Sequence, residues 1–325
     1  MTTGAISAVI PCHNAAPFLA AAIASVRAQS RAVAELIVVD DASTDGSGAI
    51  AERLGATVIR LPTQSGSGAA RNAGLRAARN ELVGMVDADD VWLSNHCERL
   101  AGLLDRFPDA CAAFGAMRLI GDAEGVYRPL LAESTPQWAF DLCLETWIGM
   151  TSCVIRRSAA LAVGGFDETM AVGVDFDMWL RLAPHHPFIA TQEITGLYRH
   201  HGGQISRRRV LQAEMCFRSR RRAWEGLVAA GDAAAAEHAA IIIRRAYQTA
   251  LQNAWDERDR ETLRAVLAFA DLVPGAEALR RTWTRRLAIP APLVSVWTGL
   301  GEGVRQPVRR VLHWFEQRAA APRER

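Results

Sequence analysis

Three carboxylates, Asp87, Asp89 and Asp90, directly follow the apolar run Leu82 to Val86. The run predicts a buried strand, and the ligands of open α/β sheets bind beyond the carboxyl ends of such strands. Clustered carboxylates repel one another unless a cation or hydrogen-bond donors compensate their charge. Because oxygen ligands of this kind suit Mg²⁺ or Mn²⁺, which also bind phosphate oxygens, the pattern predicts a metal-assisted phosphate site. A solvated acidic turn is the alternative.

Further acidic residues lie at the ends of other predicted elements. The apolar segment 35–39 ends in Asp40 and Asp41, and Asp175 opens a segment of helical character. Parallel strands end at the same edge of a sheet. The sequence therefore predicts that Asp40 and the Asp87–Asp90 group converge on one crevice.

Strand and helix patterns alternate along the first ninety residues. Strands are predicted at residues 5–10, 35–39, 56–61 and 82–86, with helices starting near Pro17, after a cap at Ser43 or Asp45, and at 68–79. This order predicts a mainly parallel sheet with right-handed crossovers and flanking helices, an α/β fold. Further along, helices are predicted at residues 94–107 and 175–183, and strands at 110–120 and 152–156.

Composition narrows the class of protein. The chain has 325 residues, of which 50% are hydrophobic, enough for a substantial core. No run of about 18 apolar residues occurs, so a membrane-spanning helix is not expected. The start of the chain has no basic segment typical of a signal peptide. The 6 cysteines are scattered without a CxxC pair, which predicts reduced thiols in a cytoplasmic protein.

Charge and composition change near residue 206. Residues 1–204 hold 15 arginines against 22 acidic residues, whereas residues 205–325 hold 22 arginines against 13. We therefore predict two domains, 1–206 and a helical, Arg-rich region 207–325. Basic stretches such as 218–224 and 304–314 are typical of helices that lie on an anionic membrane surface. A solvated extension packed on the first domain or on a second subunit is the alternative, and no nucleic-acid recognition module is present.

Seven ordered segments resemble the family 2 glycosyltransferases, which have the GT-A nucleotide-sugar-binding fold. They are residues 9–14 (VIPCHN), 37–47 (IVVDDASTDGS), 69–74 (AARNAG), 86–90 (VDADD), 164–168 (GGFDE), 175–181 (DFDMWLR) and 198–201 (YRHH). The resemblance extends from residue 5 to about residue 206. It leaves the last third of the chain unmatched.

The resemblance implies a metal-bound nucleotide-sugar donor. Asp89 occupies the metal-ligand position of the family, and Asp87 the position that usually lies near the ribose or the metal. His201 matches the late histidine that many such folds direct toward the metal or the diphosphate, with His200 as the alternative. The implied cofactor is Mn²⁺ or Mg²⁺, which stabilises the charge that develops on the departing nucleotide.

The resemblance also implies a nucleobase site. Asp40 lies where the family places a carboxylate that accepts the uracil N–H, which favours a UDP-sugar donor. Pro11 and His13 lie where the first strand packs against the base, although His13 replaces the aromatic residue often found there. For Asp40 and for Asp41, a turn that caps the next helix is the alternative.

On the acceptor side, the resemblance implies that Asp175 is the base that deprotonates the acceptor hydroxyl. The family has an acidic pair here, and Val174 replaces its first member; Asp177 is expected to face another side of the helix. Arg71 would neutralise a phosphate or form a structural ion pair. Gly165 would let the backbone approach the sugar, or simply form a turn.

The resemblance thus implies an inverting glycosyltransferase that uses a UDP-sugar and extends a glycan or a lipid-linked acceptor. It would lie in the cytoplasm, with peripheral contact to the inner face of the membrane through its basic C-terminal helices. A weakly active or inactive nucleotide-sugar-binding scaffold is one alternative, because of Val174. A sugar nucleotidyltransferase is another, although no glycine-rich basic loop follows Pro11.

Overall fold

The computed structural model describes residues 4–127, 148–204 and 208–288 of the chain. The chain divides into two units, Met1–Arg207 and Arg208–Arg325, and each is described separately. Within the described part of the second unit, residues 208–288, only helices and turns are present. The basic segment 304–314 lies outside the described residues.

The first unit begins with four parallel strands connected by helices. The strands are β1 (Ile6–Cys12), β2 (Glu35–Asp40), β3 (Thr57–Arg60) and β4 (Leu82–Met85), and the helices are α1 (Ala16–Arg27), α2 (Ser47–Arg53) and α3 (Gly66–Ala77). They lie side by side in the order β3-β2-β1-β4, and every residue of β1 is buried. Burial on both faces explains why β1 and β4 are largely apolar, whereas β3, at the edge of the sheet, is partly exposed. The predicted α/β fold with a parallel sheet is confirmed.

The sheet continues with strands of mixed direction. The remaining elements of this unit are β5 (Val91–Trp92), α4 (His96–Arg106), β6 (Ala112–Gly121), β7 (Gly125–Tyr127), a 3₁₀ turn (Met150–Ser152), β8 (Cys153–Arg156), α5 (Arg157–Ala162), α6 (Val174–Leu182) and β9 (Phe188–His200). β8 runs antiparallel to both β4 and β6, and β6 runs parallel to β9. Strand β9 was not predicted, because Thr191, Gln192 and Glu193 interrupt its apolar pattern.

Close packing of α3 on the sheet brings its side chains to the acidic strand ends. A Cβ atom on Gly74 would lie 2.2 Å from a methyl carbon of Val9, so only glycine allows this approach of helix to strand. Arg71 and Asn72, one turn earlier on the same helix, are buried as a result. The sequence of α3 therefore positions two polar side chains beside the ends of β1 and β4.

The second unit is helical through residue 288. Its helices are α7 (Arg209–Ala229), α8 (Ala233–Asp256), α9 (Arg260–Ala268) and α10 (Glu277–Leu287). Asp232 and Asp259 accept hydrogen bonds from backbone N–H groups in the first turns of α8 and α9, which fixes where both helices begin. Its core includes the edge-to-face pairs Phe217–Tyr247 and Trp255–Trp283. No helix in the described ranges is both long and apolar enough to cross a membrane.

Candidate active site

The turn after β4 holds its three carboxylates in different environments. Asp87 accepts a hydrogen bond from Arg71 at 2.6 Å, and its side chain is 31% exposed. Asp89 lies next to His201, whereas Asp90 is completely buried. Burial raises the pKa of Asp89, and the charge of Asp87 raises it further. The turn is therefore incompletely neutralised by the residues around it, as expected of a cation site.

The pair Asp89 and His201 joins the β4 turn to the end of β9. Oδ2 of Asp89 and Nε2 of His201 are 2.9 Å apart, and each side chain is 27% exposed. The backbone N–H of Gly203 donates to Nδ1 of His201, which assigns the ring proton to Nε2 in this arrangement. The ring of Phe18 packs against the imidazole with centroids 4.9 Å apart. The structure thus brings together the two residues expected to bind a metal.

The pair would offer a divalent ion one carboxylate oxygen and one imidazole nitrogen, both of which bind metals in proteins. The 2.9 Å separation of these two atoms is that of an N–H···O hydrogen bond, so Nε2 of His201 would have to lose its proton to bind an ion. Within the described residues, no group of three or more His, Cys, Asp or Glu side chains could hold an ion by itself. An ion here would need further ligands from a phosphate group or water.

Arg71 connects the β4 turn to the start of α6. Its guanidinium is buried, donates to Asp87, and lies with its carbon 5.9 Å from the centroid of the Phe166 ring. Burial alone would lower the pKa of Arg71, but the negative charges of Asp87 and Asp175 raise it. Nε of Arg71 has no hydrogen-bond partner among the described residues. The charge of this one side chain therefore acts on both candidate carboxylates, Asp87 and Asp175.

Asp175 lies in the first turn of α6 and is 6% exposed. Its Oδ1 accepts the backbone N–H of Phe176 at 2.9 Å, and the positive end of the helix dipole stabilises its negative charge. The cap position of the helix belongs to Gly173, so capping does not by itself explain an acid at Asp175. Val174 is buried at 2% exposure.

Asp177 has a different role. Its Oδ2 accepts a hydrogen bond from Nε of Arg181 at 2.8 Å, and Nη1 of Arg181 donates to the carbonyl of Val163. The ion pair lies within α6, and the bond from Arg181 to Val163 ties α6 to the end of α5. Asp177 thus helps to hold Arg181 in this contact.

The Gly164–Gly165 loop packs against the side chain of Asn72. The amide of Asn72 donates to the carbonyl of Phe166 and accepts its N–H, at 2.9 Å and 2.8 Å. Gly165 has a φ of +72°, and a Cβ atom there would lie 2.5 Å from Oδ1 of Asn72. Glycine is required at this position by that contact, whether or not a sugar also approaches the loop.

The expected nucleobase site lies at the ends of β1 and β2. Oδ1 of Asp40 accepts the N–H of Ser43 at 2.9 Å, the turn geometry that was the alternative for this residue. Asp41 accepts the N–H groups of Ser65 and Gly66 at the start of α3. Asp41 is therefore structural, and a nucleobase contact for Asp40 stays a prediction.

Two residues predicted to face the base differ in exposure. Pro11 is buried within β1, where it is paired with Val39 of β2. His13 is exposed, and its Nδ1 lies 2.6 Å from the carbonyl oxygen of Asp41. Of the two, His13 has the more accessible side chain.

The sequence patterns did not identify Asn72 as a residue that shapes the site, although it follows Arg71 in the segment 69–74. They also missed Thr151, whose hydroxyl bonds to the β4 turn. Nothing in the pattern around Thr151 predicts this contact, because the turn and Thr151 are more than sixty positions apart.

Comparison with known proteins agrees with this geometry. Residues 7–161 match the sequence model of glycosyl transferase family 2. The pre-mycofactocin glycosyltransferase of Mycobacterium tuberculosis is 30% identical over 194 residues, which are 54% of this chain and 38% of that protein. The putative glycosyltransferase EpsH of Bacillus subtilis is 33% identical over 104 residues, 31% of this chain and 30% of that protein. The chain thus matches well under half the length of these curated relatives.

Solved structures share the fold at low sequence identity. The S. aureus TarS fragment 1–349 in complex with UDP-GlcNAc has a TM-score of 0.67 and 17% identity, covering 97% of this chain and 92% of that one. The mannosyltransferase PcManGT from Pyrobaculum calidifontis, in complex with GDP-Man and Mn²⁺, has a TM-score of 0.55 and 18% identity. The match covers 99% of this chain and 88% of that one. Residues 7–161 of this chain thus match glycosyl transferase family 2, and the solved structures show that it has their fold.

Proposed function

We propose that the chain transfers a sugar from a UDP-sugar to a hydroxyl group of a glycan or lipid-linked acceptor, with inversion at the anomeric carbon. The observation that carries the proposal is the position of Arg71, hydrogen-bonded to Asp87 and electrostatically coupled to Asp175. A donor-side carboxylate and a candidate base, far apart in sequence, would thus belong to one site. Residues 1–206 would form the catalytic domain.

On the donor side, Asp89 and His201 would hold Mn²⁺ or Mg²⁺ together with the diphosphate. When bound, the ion would supply Lewis-acid stabilisation of the charge on the leaving diphosphate. Arg71 would add a fixed positive charge next to Asp87. The complexes of structural neighbours with UDP-GlcNAc and with GDP-Man and Mn²⁺ support a nucleotide-sugar donor for this fold.

The nucleotide would bind at the ends of β1 and β2. His13 is exposed there, and Pro11 would form part of the surface against the base. Asp40 would accept the uracil N–H with the carboxylate oxygen that does not bond to Ser43. The loop at Gly165 would approach the sugar.

On the acceptor side, Asp175 would take the proton from the attacking hydroxyl. With one base and no paired nucleophile, the oxygen of the acceptor would attack the anomeric carbon directly, and the bond to the diphosphate would break on the opposite face. By analogy with glycoside hydrolysis, this single displacement inverts the configuration.

The test is UDP release by the full chain with a panel of UDP-sugars, with and without Mn²⁺. We expect turnover that requires the ion and that Asp89→Ala lowers by at least about 100-fold, since the residue binds the ion directly. Asp105→Ala is the control, because Asp105 forms a surface ion pair with Arg31. Equal turnover with and without Mn²⁺ would refute the metal role.

Two other outcomes identify the alternatives. Mn²⁺-dependent UDP binding without turnover of any donor would support a scaffold, the alternative that the buried Val174 favours. Consumption of a nucleoside triphosphate together with a sugar phosphate would instead indicate a nucleotidyltransferase.

A further inference from the structure

The hydroxyl of Thr151 joins the two ends of the acidic turn after β4. Its oxygen accepts the backbone N–H of Asp87 at 3.0 Å and donates its proton to Oδ2 of Asp90 at 2.7 Å. Thr151 is 2% exposed, so neither bond competes with water. One buried hydroxyl therefore fixes the carboxylate of Asp90 relative to the backbone of Asp87, with Asp89 between them.

The carboxylate of Asp90 extends this connection to β9. Its second oxygen, Oδ1, accepts the backbone N–H of Arg199 at 2.8 Å. Nε of Arg199 in turn donates to the carbonyl oxygen of Asp89 at 2.9 Å. The backbone of the turn and the end of β9 are thus bonded to each other twice, through Asp90 and through Arg199.

These bonds lie next to the pair that we expect to bind the ion. His201 is two residues after Arg199, and its Nε2 meets Oδ2 of Asp89. The separation of the two donor atoms depends on how the turn and the end of β9 are held. The chain of contacts runs from Thr151 through Asp90 and Arg199 to the residues on both sides of the pair.

The position of Thr151 is itself fixed by a residue outside the acidic turn after β4. Its backbone carbonyl accepts the indole N–H of Trp92 at 2.9 Å, and Trp92 is 2% exposed. Because the main chain of Thr151 is anchored separately, its hydroxyl can act as a fixed point for the turn.

We propose that Thr151 is a positioning residue which, through Asp90, sets the spacing of Asp89 and His201 for a divalent ion bound with a nucleotide diphosphate. The inference rests on the proposed function. Neither Thr151 nor Asp90 would touch the ion. Outer residues of this kind hold ligand atoms in place, and their loss typically lowers metal affinity by about 10- to 100-fold.

The test compares three variants of the full chain. Thr151→Val removes the hydroxyl with little change of shape, and Thr151→Ser keeps it. Ser152→Ala is the matched control, because Ser152 is equally buried in the same 3₁₀ turn but its hydroxyl donates to the carbonyl of Gly149. The measurement is the Mn²⁺ concentration that gives half-maximal UDP binding in calorimetry, alongside the thermal midpoint without ligand.

We expect Thr151→Val to raise the required Mn²⁺ concentration by about 10-fold or more, with UDP affinity at saturating Mn²⁺ close to wild type. Thr151→Ser and Ser152→Ala should stay near the wild-type value. An unchanged Mn²⁺ requirement in Thr151→Val, or an equal shift in Ser152→Ala, would overturn the proposal.

A second substitution covers the case in which Thr151→Val does not fold. Asp90→Asn keeps the shape of the side chain but cannot accept hydrogen bonds with both of its polar atoms, so it should raise the Mn²⁺ requirement in the same direction. If it leaves that requirement unchanged, the proposal fails. A wild-type chain that binds no UDP with Mn²⁺ would instead refute the proposed function itself.

Discussion

Nη2 of Arg71 lies 2.6 Å from Oδ1 of Asp87, and this ion pair connects α3 to the acidic turn after β4. Arg71 also interacts with the charge of Asp175 at the start of α6. Three segments that are distant in sequence therefore share one buried positive charge. The negative charges of Asp87 and Asp175 in turn raise the pKa of Arg71, so the guanidinium stays charged although it is buried.

The two acids of α6 allow a direct test of the catalytic base. We expect Asp175→Asn to lower turnover by at least about 100-fold, because the amide cannot accept the acceptor proton. Its thermal midpoint should stay near wild type, since Oδ1 can still accept the N–H of Phe176. The measurement is UDP release with an acceptor present, together with UDP affinity, which should not change.

Asp177→Asn is the control on the same helix. It weakens the ion pair with Arg181 and should lower the stability of the fold by about 1–3 kcal/mol, while the folded fraction keeps its turnover. If Asp177→Asn abolishes turnover at a temperature where it is folded and Asp175→Asn does not, the assignment of the base is wrong.

The parallel half of the fold could be predicted from the sequence mainly because β1, β4 and most of β2 are buried. Continuous apolar runs such as residues 82–86 leave little ambiguity about strand or helix, and the observed β4 agrees with that segment to one residue. Strand β9 could not be found in this way. Its 13 residues include the polar group 191–193, and its pairing with β6 passes through register irregularities.

The residues of the candidate site likewise differ in whether local sequence patterns predict them. Asp87, Asp89 and Asp175 follow from strand ends and ordered motifs, and His201 from a motif beside them. The bonds that Thr151 and Asn72 make depend on contacts between segments that local patterns do not encode. For Asp40, the sequence left a turn and a nucleobase contact open, and the structure supplies the turn contact to Ser43.

The two adjacent glycines of the α5–α6 loop should differ in their tolerance of alanine. Both have positive φ, so either substitution costs about 1 kcal/mol in backbone strain. A methyl group on Gly165 would also collide with Oδ1 of Asn72 at 2.5 Å, whereas nothing lies within 4 Å of the corresponding position on Gly164.

We therefore expect Gly165→Ala to lower the free energy of unfolding by about 2–4 kcal/mol and Gly164→Ala by about 1 kcal/mol. Chemical denaturation of both variants measures the difference. Equal losses would show that Asn72 moves aside and does not constrain the loop.

The second unit offers a test of membrane contact. Arg281 and Arg285 are exposed on α10, and each exposed arginine near an anionic surface contributes roughly 1 kcal/mol to binding. We expect the full chain to float with phosphatidylglycerol-containing vesicles at low salt, and replacement of both residues by Gln to weaken binding by about 30-fold. Equal partitioning onto neutral and anionic vesicles would reject an electrostatic membrane contact.

His96 should make the fold sensitive to acid. Its ring is completely buried and stacks on Trp92 with centroids 4.2 Å apart, and neither ring nitrogen has a well-formed hydrogen bond among the described residues. Burial lowers the pKa of His96 from 6.5 to about 3, and nearby backbone groups of Thr195 and Cys153 oppose that shift only weakly.

Because the folded state keeps His96 neutral while the unfolded chain takes up a proton, stability is lost as the pH falls from 6.5 toward 3. The loss due to this residue is about 1.4 kcal/mol per pH unit within that window.

In His96→Phe, which keeps an aromatic ring against Trp92, the free energy of unfolding should fall less steeply between those pH values. Urea denaturation at a series of pH values measures the slope, and His238→Gln, on an exposed face of α8, is the control. An identical slope in wild type and His96→Phe would show that the buried imidazole is protonated in the folded protein or is reached by water.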